Sequence, residues 1–472
     1  MPSLHEPPRA ARVAARSMPR RSVIVFSCLL AGVAASATAQ TKAPPQVVKP
    51  PVAQLWIDVA TSIMPGMPEM SAMGGASGLF GGGGGSNAFG NTRGMSPGRY
   101  ADIALVTQRK PGGTEATQAV PAGSGLAPSL ALHPVKVGPA PSTPSGLAEL
   151  EQPRGRILFY WGCGEAVRPG QPRVLDFSRS APTEWANFMQ GRAPRERGAM
   201  ARPGHSIWPN EKDRRMFGRD ASLAGEHRVS GDGVPADFKF AIGPTHDFMP
   251  AIALAQSGAP EDVVRLSWPA VTHARAYFIN AISGGEDASG AAEVVLWSSA
   301  EVPEFGMGLI DYASPGNVDQ WLKEKVLLAP TVTQCAIPKG IFAKREGAML
   351  RMIAYGPELN LAHPPRPADP KIAWEPEWAV RVRTKSTAMA MLGMSMEDGR
   401  AGAAPARGGA PTQRAAGAPA RPDCPPPASG DNTAAAVGGA LGGSVGRAVG
   451  GALGGLFGKK EEKKDVPADC PR

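Results

Sequence analysis

One phrase of the sequence has the character of a nucleophilic site, YWGCG at residues 160–164, in which Cys163 lies between two glycines. Small neighbours give a thiolate close access to a substrate, but the cysteine also needs a base that removes its proton. No histidine is near Cys163 in sequence, so a base would have to approach in space from His133, His205, His227 or His246. We therefore predict no catalytic residue, and we keep a thiol-dependent periplasmic enzyme using Cys163 as an alternative.

Metal-binding and phosphate-binding spacings do not occur in the sequence. The seven histidines are scattered without a His-x-x-x-His pair, and neither Cys-x-x-Cys nor a phosphate-binding loop with Gly-Lys-Ser/Thr is found. Thioether ligands for Cu(I) could come from Met64, Met67, Met70 and Met73, although no histidine or cysteine accompanies them. The prediction is that the protein has no metal site and no cofactor.

A glycine repeat near the C-terminus is the most distinctive motif. The phrase VGGALGG begins at both Val437 and Val449, and glycine recurs at every fourth position. In a helix this spacing forms a groove that another helix can approach closely, and it resembles the glycine-zipper segments of bacterial envelope proteins. The predicted contact positions are Gly438, Gly442, Gly446, Gly450, Gly454 and Gly458.

The glycine zipper needs a partner in order to become helical. Each interior glycine costs about 0.8–1 kcal/mol relative to alanine, so an isolated helix is unstable in water. A single membrane span is also unfavourable, because Arg447 near its centre would cost about 2.5–3.5 kcal/mol. We expect this segment to dock on a membrane surface, on a membrane protein or on a second copy of the chain, and a zipper-mediated pore is a further alternative.

The N-terminal residues have the pattern of a secretion signal. Arg20 and Arg21 precede an apolar run from Val23 to Ala35, and Ala37-Thr38-Ala39 offers small residues for signal peptidase. We predict a signal peptide at residues 1–39, with Met18 as an alternative start. The protein is then expected to be exported, to the periplasm or to an outer-membrane-associated location.

Export determines how the cysteines and the charge are interpreted. An oxidising compartment favours disulfides, and the sequence around each cysteine favours the pairs Cys163 with Cys335 and Cys424 with Cys470, although three pairings are open. Removing residues 1–39, which carry five arginines and one glutamate, reduces the formal net charge from +9 to +5. No basic stripe interleaved with aromatic residues is present, so we predict no nucleic-acid partner.

Strand-like alternation dominates the remaining sequence. Val264, Leu266 and Trp268 alternate with polar residues before Pro269, and a second strand carrying Tyr277 follows. This pair resembles the second and third strands of a fibronectin type III domain, with Trp268 and Tyr277 as its core aromatic residues. Residues 348–360 and 378–386 are similar to its later strands, whereas residues 306–329 depart from it as an inserted helix. The resemblance implies a binding or spacing module and no chemistry.

We predict a mainly all-β protein with two β-sandwich-like domains, short helical insertions, long disordered linkers and a helical glycine-zipper segment. The chain divides into a signal peptide (1–39), a proline-rich spacer (40–52), a β-rich domain (53–249) with a Gly/Met-rich loop (64–98), a fibronectin type III-like sandwich (250–388), a disordered linker (389–430), the zipper (431–458) and a charged tail (459–472). The leading hypothesis is a non-enzymatic cell-envelope structural or interaction protein, anchored or self-associating through the zipper.

Overall fold

The computed structural model describes residues 46–65, 87–136, 155–188, 190–194, 198–343, 345 and 347–392. Within these ranges the chain is mainly β, which confirms the predicted fold class. The predicted signal peptide, most of the Gly/Met-rich loop, the linker beyond residue 392, the glycine zipper and the charged tail lie outside the described residues.

The described residues form sixteen strands and two short helices. The strands are β1 (Ala53–Ile63), β2 (Gly98–Thr107), β3 (Ala116–Ala119), β4 (Ser129–Pro134), β5 (Arg156–Trp161), β6 (Arg173–Asp176), β7 (Ser206–Trp208), β8 (Gly225–Gly231), β9 (Lys239–Ile242), β10 (Ala255–Ser257), β11 (Val264–Ser267), β12 (Ala276–Glu286), β13 (Ala292–Ser298), β14 (Gln334–Ile337), β15 (Ala348–His363) and β16 (Trp378–Leu392). The helices are α1 (Pro182–Phe188) and α2 (Pro315–Lys323).

Thirteen strands form one mixed sheet in the order β6-β5-β13-β12-β15-β16-β1-β2-β7-β4-β3-β8-β9. The strand β1 lies between β16, to which it is parallel, and the antiparallel β2. A second long-range parallel pair joins β5 to β13. Strands from residues 53–249 and from residues 250–388 therefore share this sheet.

One face of the sheet is covered by two apolar clusters. In the first, β1, β2 and β16 pack against β3, β4, β8 and β9, so the sheet folds back over itself. In the second, β12, β13 and β15 pack against a separate three-stranded sheet, β10-β11-β14. Alternate residues of the central strands supply both clusters, because successive strand side chains point to opposite faces.

Trp268 and Tyr277 lie in the second cluster. Their side chains are buried, and their ring centroids are 5.6 Å apart at an interplanar angle of 71°. The backbone N–H of Val271 donates a hydrogen bond to the Tyr277 hydroxyl over 2.9 Å. This contact fixes the chain that connects β11 to β12.

The opposite face is partly covered by α2. Ser314 caps this helix by accepting a hydrogen bond from the Asn317 N–H over 3.3 Å, and Pro315 occupies its first turn. Val318 and Trp321 are buried in a third apolar cluster with residues of β12 and β15. The predicted inserted helix thus covers the sheet where β15 passes beneath it.

Candidate functional site

Polar side chains occupy the second face of the central strands. The pairing of β1 with β16 places Trp56 beside Arg381 and Asp58 beside Arg383. This face has two parts. The first, which we call the network, is a largely buried cluster of charged side chains and one tyrosine: Asp58, Arg93, Asp102, Asp311, Tyr312, Arg383 and Lys385. The second, which we call the groove, is open and is lined mainly by Gln54, Trp56, Asn360, Arg366, Trp374 and Arg381.

Asp58 and Arg383 form the centre of the network. Arg383 Nε and Nη2 donate to the two carboxylate oxygens of Asp58, each over 2.7 Å, and both side chains are buried. Burial opposes the charge of Arg383, but Asp58 outweighs it and the pKa of Arg383 is raised. Removing one partner of such a pair leaves an uncompensated buried charge, which costs about 3–5 kcal/mol.

Arg93 extends the network from the 3₁₀ turn Asn91–Arg93. Its Nη2 is 2.9 Å from Asp58 Oδ2, and its Nε donates to Asp311 Oδ2 over 2.9 Å. Burial opposes ionisation of Arg93 as well, yet Asp58 and Asp311 together raise its pKa. Arg93 therefore links β1 to the segment that precedes α2.

Asp102 stands next to Asp58 on the neighbouring strand β2. Burial raises the pKa of Asp102 to about 6, even though the Thr92 hydroxyl and the Gly90 N–H donate hydrogen bonds to its carboxylate. The nearest cation is Arg93, whose Nη1 lies 3.8 Å from Asp102 Oδ2. Two carboxylates on adjacent strands thus share one guanidinium.

Lys385 and Tyr312 close the network. Lys385 is 0% exposed, and its ammonium lies 3.4 Å from the Ile310 carbonyl, 3.9 Å from Asp311 Oδ1 and 4.4 Å from the centroid of the Tyr312 ring. Burial lowers the pKa of Lys385 to about 7, while Asp311 acts in the opposite direction. Because this amine is buried, it contacts other groups of the protein rather than solvent.

A segment that we call the cover, residues 190–194 and 198–202, lies over the network. At one end Arg192 Nη1 is 3.0 Å from Glu304 Oε2, and at the other the Ala199 N–H donates to Asp58 Oδ2 over 3.1 Å. A Cβ at Gly198 would overlap the Arg383 guanidinium, so this approach requires glycine. Clefts of about 440 and 350 Å³ open beside the cover.

The groove lies farther along the same strands, and none of the described residues of the cover lines it. Its volume is about 440 Å³. Ala362 and Ala379, which are paired between β15 and β16, give it a shallow floor. Trp374, in the loop between these strands, forms one wall. An open surface with aromatic walls and polar side chains can bind a ligand.

The predicted Cys163–Cys335 disulfide is present, with the two Cα atoms 5.2 Å apart. Cys163 follows β5 in the large sheet and Cys335 lies on β14, so the bond joins the small sheet to the large one. The Gly164 N–H supports this junction by donating to the Ala336 carbonyl over 2.9 Å. In the bonded form Cys163 has no thiol to ionise.

The remaining predicted site residues are not described. Cys424, Cys470 and the six zipper glycines lie outside the described residues. Across the described ranges, no helix has the length and apolar composition to cross a bilayer, and no three His, Cys, Asp or Glu side chains are grouped to hold a metal ion.

Comparison with known proteins gave no relative. No protein family, curated protein or solved structure matches this chain.

Neither the network nor the groove was predicted from the sequence. The signal for both was the alternation in β1 and β16, where Trp56 and Asp58 share one face and Arg381, Arg383 and Lys385 share the corresponding face. One carboxylate on the first segment and cations repeated with strand period on the second could have indicated a cross-strand charge pair. The pairing of the two segments, however, is not visible in either one alone.

Proposed function

We propose that the protein is a non-enzymatic binding protein of the bacterial cell envelope, which presents the groove to a partner and is anchored or self-associates through its C-terminal glycine segment. The groove carries this proposal, because its two tryptophans are already held in place by contacts within the protein. The Trp56 ring stacks on His205 at a centroid distance of 5.7 Å, and Trp374 Nε1 donates to the Pro364 carbonyl over 3.0 Å. A prearranged surface loses little conformational entropy on binding.

Three features support an envelope location. The arginines and apolar run of residues 1–39 have the pattern of a secretion signal. The Cys163–Cys335 disulfide suits an oxidising compartment. The glycine repeat of residues 438–458 suits helix packing at a membrane.

The likeness of residues 250–388 to fibronectin type III modules also favours binding over catalysis. The alternative of a thiol-dependent enzyme requires a free thiolate at Cys163. Since that sulfur is bonded to Cys335, such an enzyme would first have to be reduced.

Deletion of residues 432–457 tests the proposal. We expect the intact chain to lose residues 1–39 on export and to fractionate with membranes or as an oligomer, and we expect the deletion to release it as a smaller, unattached species. The matched control is deletion of residues 395–420, an equal length of the predicted linker, which should leave fractionation unchanged. An unprocessed cytoplasmic protein, or a deletion without effect on both fractionation and oligomeric state, would refute the proposal.

A further inference from the structure

The charged residues that line the groove are all positive. Two guanidiniums, from Arg366 and Arg381, line it together with the side-chain amides of Gln54 and Asn360. None of the described residues that line the groove is acidic. Glu358 lies next to it and binds Arg381 Nη2 over 2.9 Å, which leaves the exposed Arg366 as the cation most open to a ligand.

Arg366 and Trp374 form one prearranged unit. The Arg366 guanidinium carbon is 5.6 Å from the centroid of the Trp374 ring, and its Nε donates to Gln46 Oε1 over 2.6 Å. The backbone of Trp374 is also held to the segment before β1, since its N–H donates to the Val47 carbonyl over 2.9 Å. Both an aromatic surface and a fixed guanidinium are therefore presented at the same wall.

We propose that the groove binds an acidic polysaccharide, a chain of pyranose rings that carry carboxylates. This inference depends on the proposed binding function and names the ligand. The C–H face of a pyranose is apolar and fits against tryptophan, whereas its hydroxyls suit the amides of Gln54 and Asn360. A sugar carboxylate accepts the charge-assisted hydrogen bonds that a guanidinium such as that of Arg366 donates.

The openness of the groove favours a chain over an enclosed small molecule. Its floor is formed by the small side chains of Ala362 and Ala379, so one ring of a longer chain can lie against it while neighbouring rings extend past the groove. An acidic peptide is the competing ligand, because Val47, Val48 and Ile372 are exposed apolar residues next to the Trp374 wall. Peptide binding is therefore one outcome that the test must separate.

Calorimetric titration of the purified full chain, with its disulfide formed, tests the inference. The probes are an oligomannuronate hexamer, the neutral cellohexaose and a hexaglutamate peptide. We expect the oligomannuronate to bind most tightly, and we expect Trp374→Ala and Arg366→Gln each to weaken it by about tenfold. Trp374→Phe should bind within about threefold of the unmodified chain because it keeps an aromatic face.

Arg179→Gln is the matched control, since Arg179 is exposed after β6 and lies outside the groove. Its unfolding midpoint and those of the groove variants show whether each protein remains folded. The inference is wrong if the oligomannuronate does not bind, or if the groove substitutions leave its affinity unchanged. It is also wrong if cellohexaose or hexaglutamate binds as tightly, which would indicate a neutral glycan or a protein partner. These results are independent of export and fractionation, so failure of the ligand assignment can be distinguished from failure of the envelope function.

Discussion

Lys385→Met should stabilise the folded protein, with a gain that depends on pH. Lys385 is fully buried, and burial lowers its pKa from 10.5 to about 7. At about 1.4 kcal/mol per pKa unit, this difference corresponds to a cost of up to about 5 kcal/mol for holding the ammonium inside the fold. Methionine has a similar length, carries no charge and can fill the same space, so it removes that cost.

The direction of the pH dependence follows from the two protonation states. The unfolded chain keeps the lysine proton up to about pH 10.5, whereas the folded chain releases it near pH 7. Between these values unfolding takes up a proton, so the free energy of unfolding of the unmodified protein rises with pH. The advantage of Lys385→Met should therefore be largest at or below pH 7 and should shrink by about 1.4 kcal/mol per pH unit above it.

Urea unfolding of both proteins at several values between about pH 6 and pH 10 measures this difference. Taking the difference between the two proteins cancels the titration of groups that both contain. Lys371→Met is the matched control, because Lys371 is exposed in the loop before β16. An advantage that is the same at every pH, or a loss of stability at pH 7, would refute the view that Lys385 is a costly buried cation.

Three further variants test the other contacts. Gly198→Ala should lower the free energy of unfolding by about 1–3 kcal/mol, because the new methyl group overlaps Arg383. Urea unfolding measures this loss. Replacing Cys163 and Cys335 together by serine should lower the free energy of unfolding by about 2–5 kcal/mol, with a fall in the thermal midpoint. Asp102→Asn should raise the free energy of unfolding by up to about 3 kcal/mol above pH 6 and leave it little changed below pH 4. The reason is that the Asp102 carboxylate has a pKa of about 6 in the folded protein but 3.8 in the unfolded chain.

Each of these changes has a control. Gly218→Ala adds a methyl group that has no neighbour within 4 Å, so it should leave the free energy of unfolding unchanged. Reducing agent should abolish the difference between the cysteine variant and the unmodified protein. Asp220→Asn, at an exposed turn, should show no gain between pH 4 and pH 7. Equal effects in variant and control would contradict the proposed contacts.

Local alternation predicted individual strands but not their partners. The alternation of residues 55–61 indicates a strand, and these residues lie within β1; the predicted strand 378–386 forms the first part of β16. Their parallel pairing joins Ala53 to Trp378 across most of the described chain, and no local pattern specifies it. Long-range pairing depends on which apolar faces meet, which is a property of the whole fold. The strand β16 also continues to Leu392, past the predicted start of the linker at residue 389.

The network could not be predicted from the sequence, because charged residues on a strand usually face solvent. Asp58 and Lys385 alternate with buried apolar or small residues, which is the ordinary pattern of a sheet with one wet face. The cover, which contacts Asp58, has weak periodicity and many arginines in its sequence, a pattern that is typical of a surface loop. Its contacts with Asp58 and Glu304 are made by one backbone N–H and by Arg192, and neither has a sequence signature.

The network and the groove share the two strands β1 and β16, so contacts that stabilise the network also position residues of the groove. Asp58 is two residues from Trp56 on β1, and Arg383 is two residues from Arg381 on β16, all on one face. The two hydrogen bonds between Asp58 and Arg383 fix the lateral and longitudinal position of β1 against β16. They thereby also fix the position of Trp56 relative to Arg381. The charged residues under the cover can then serve the groove without touching its ligand, because they hold its floor and one wall in register.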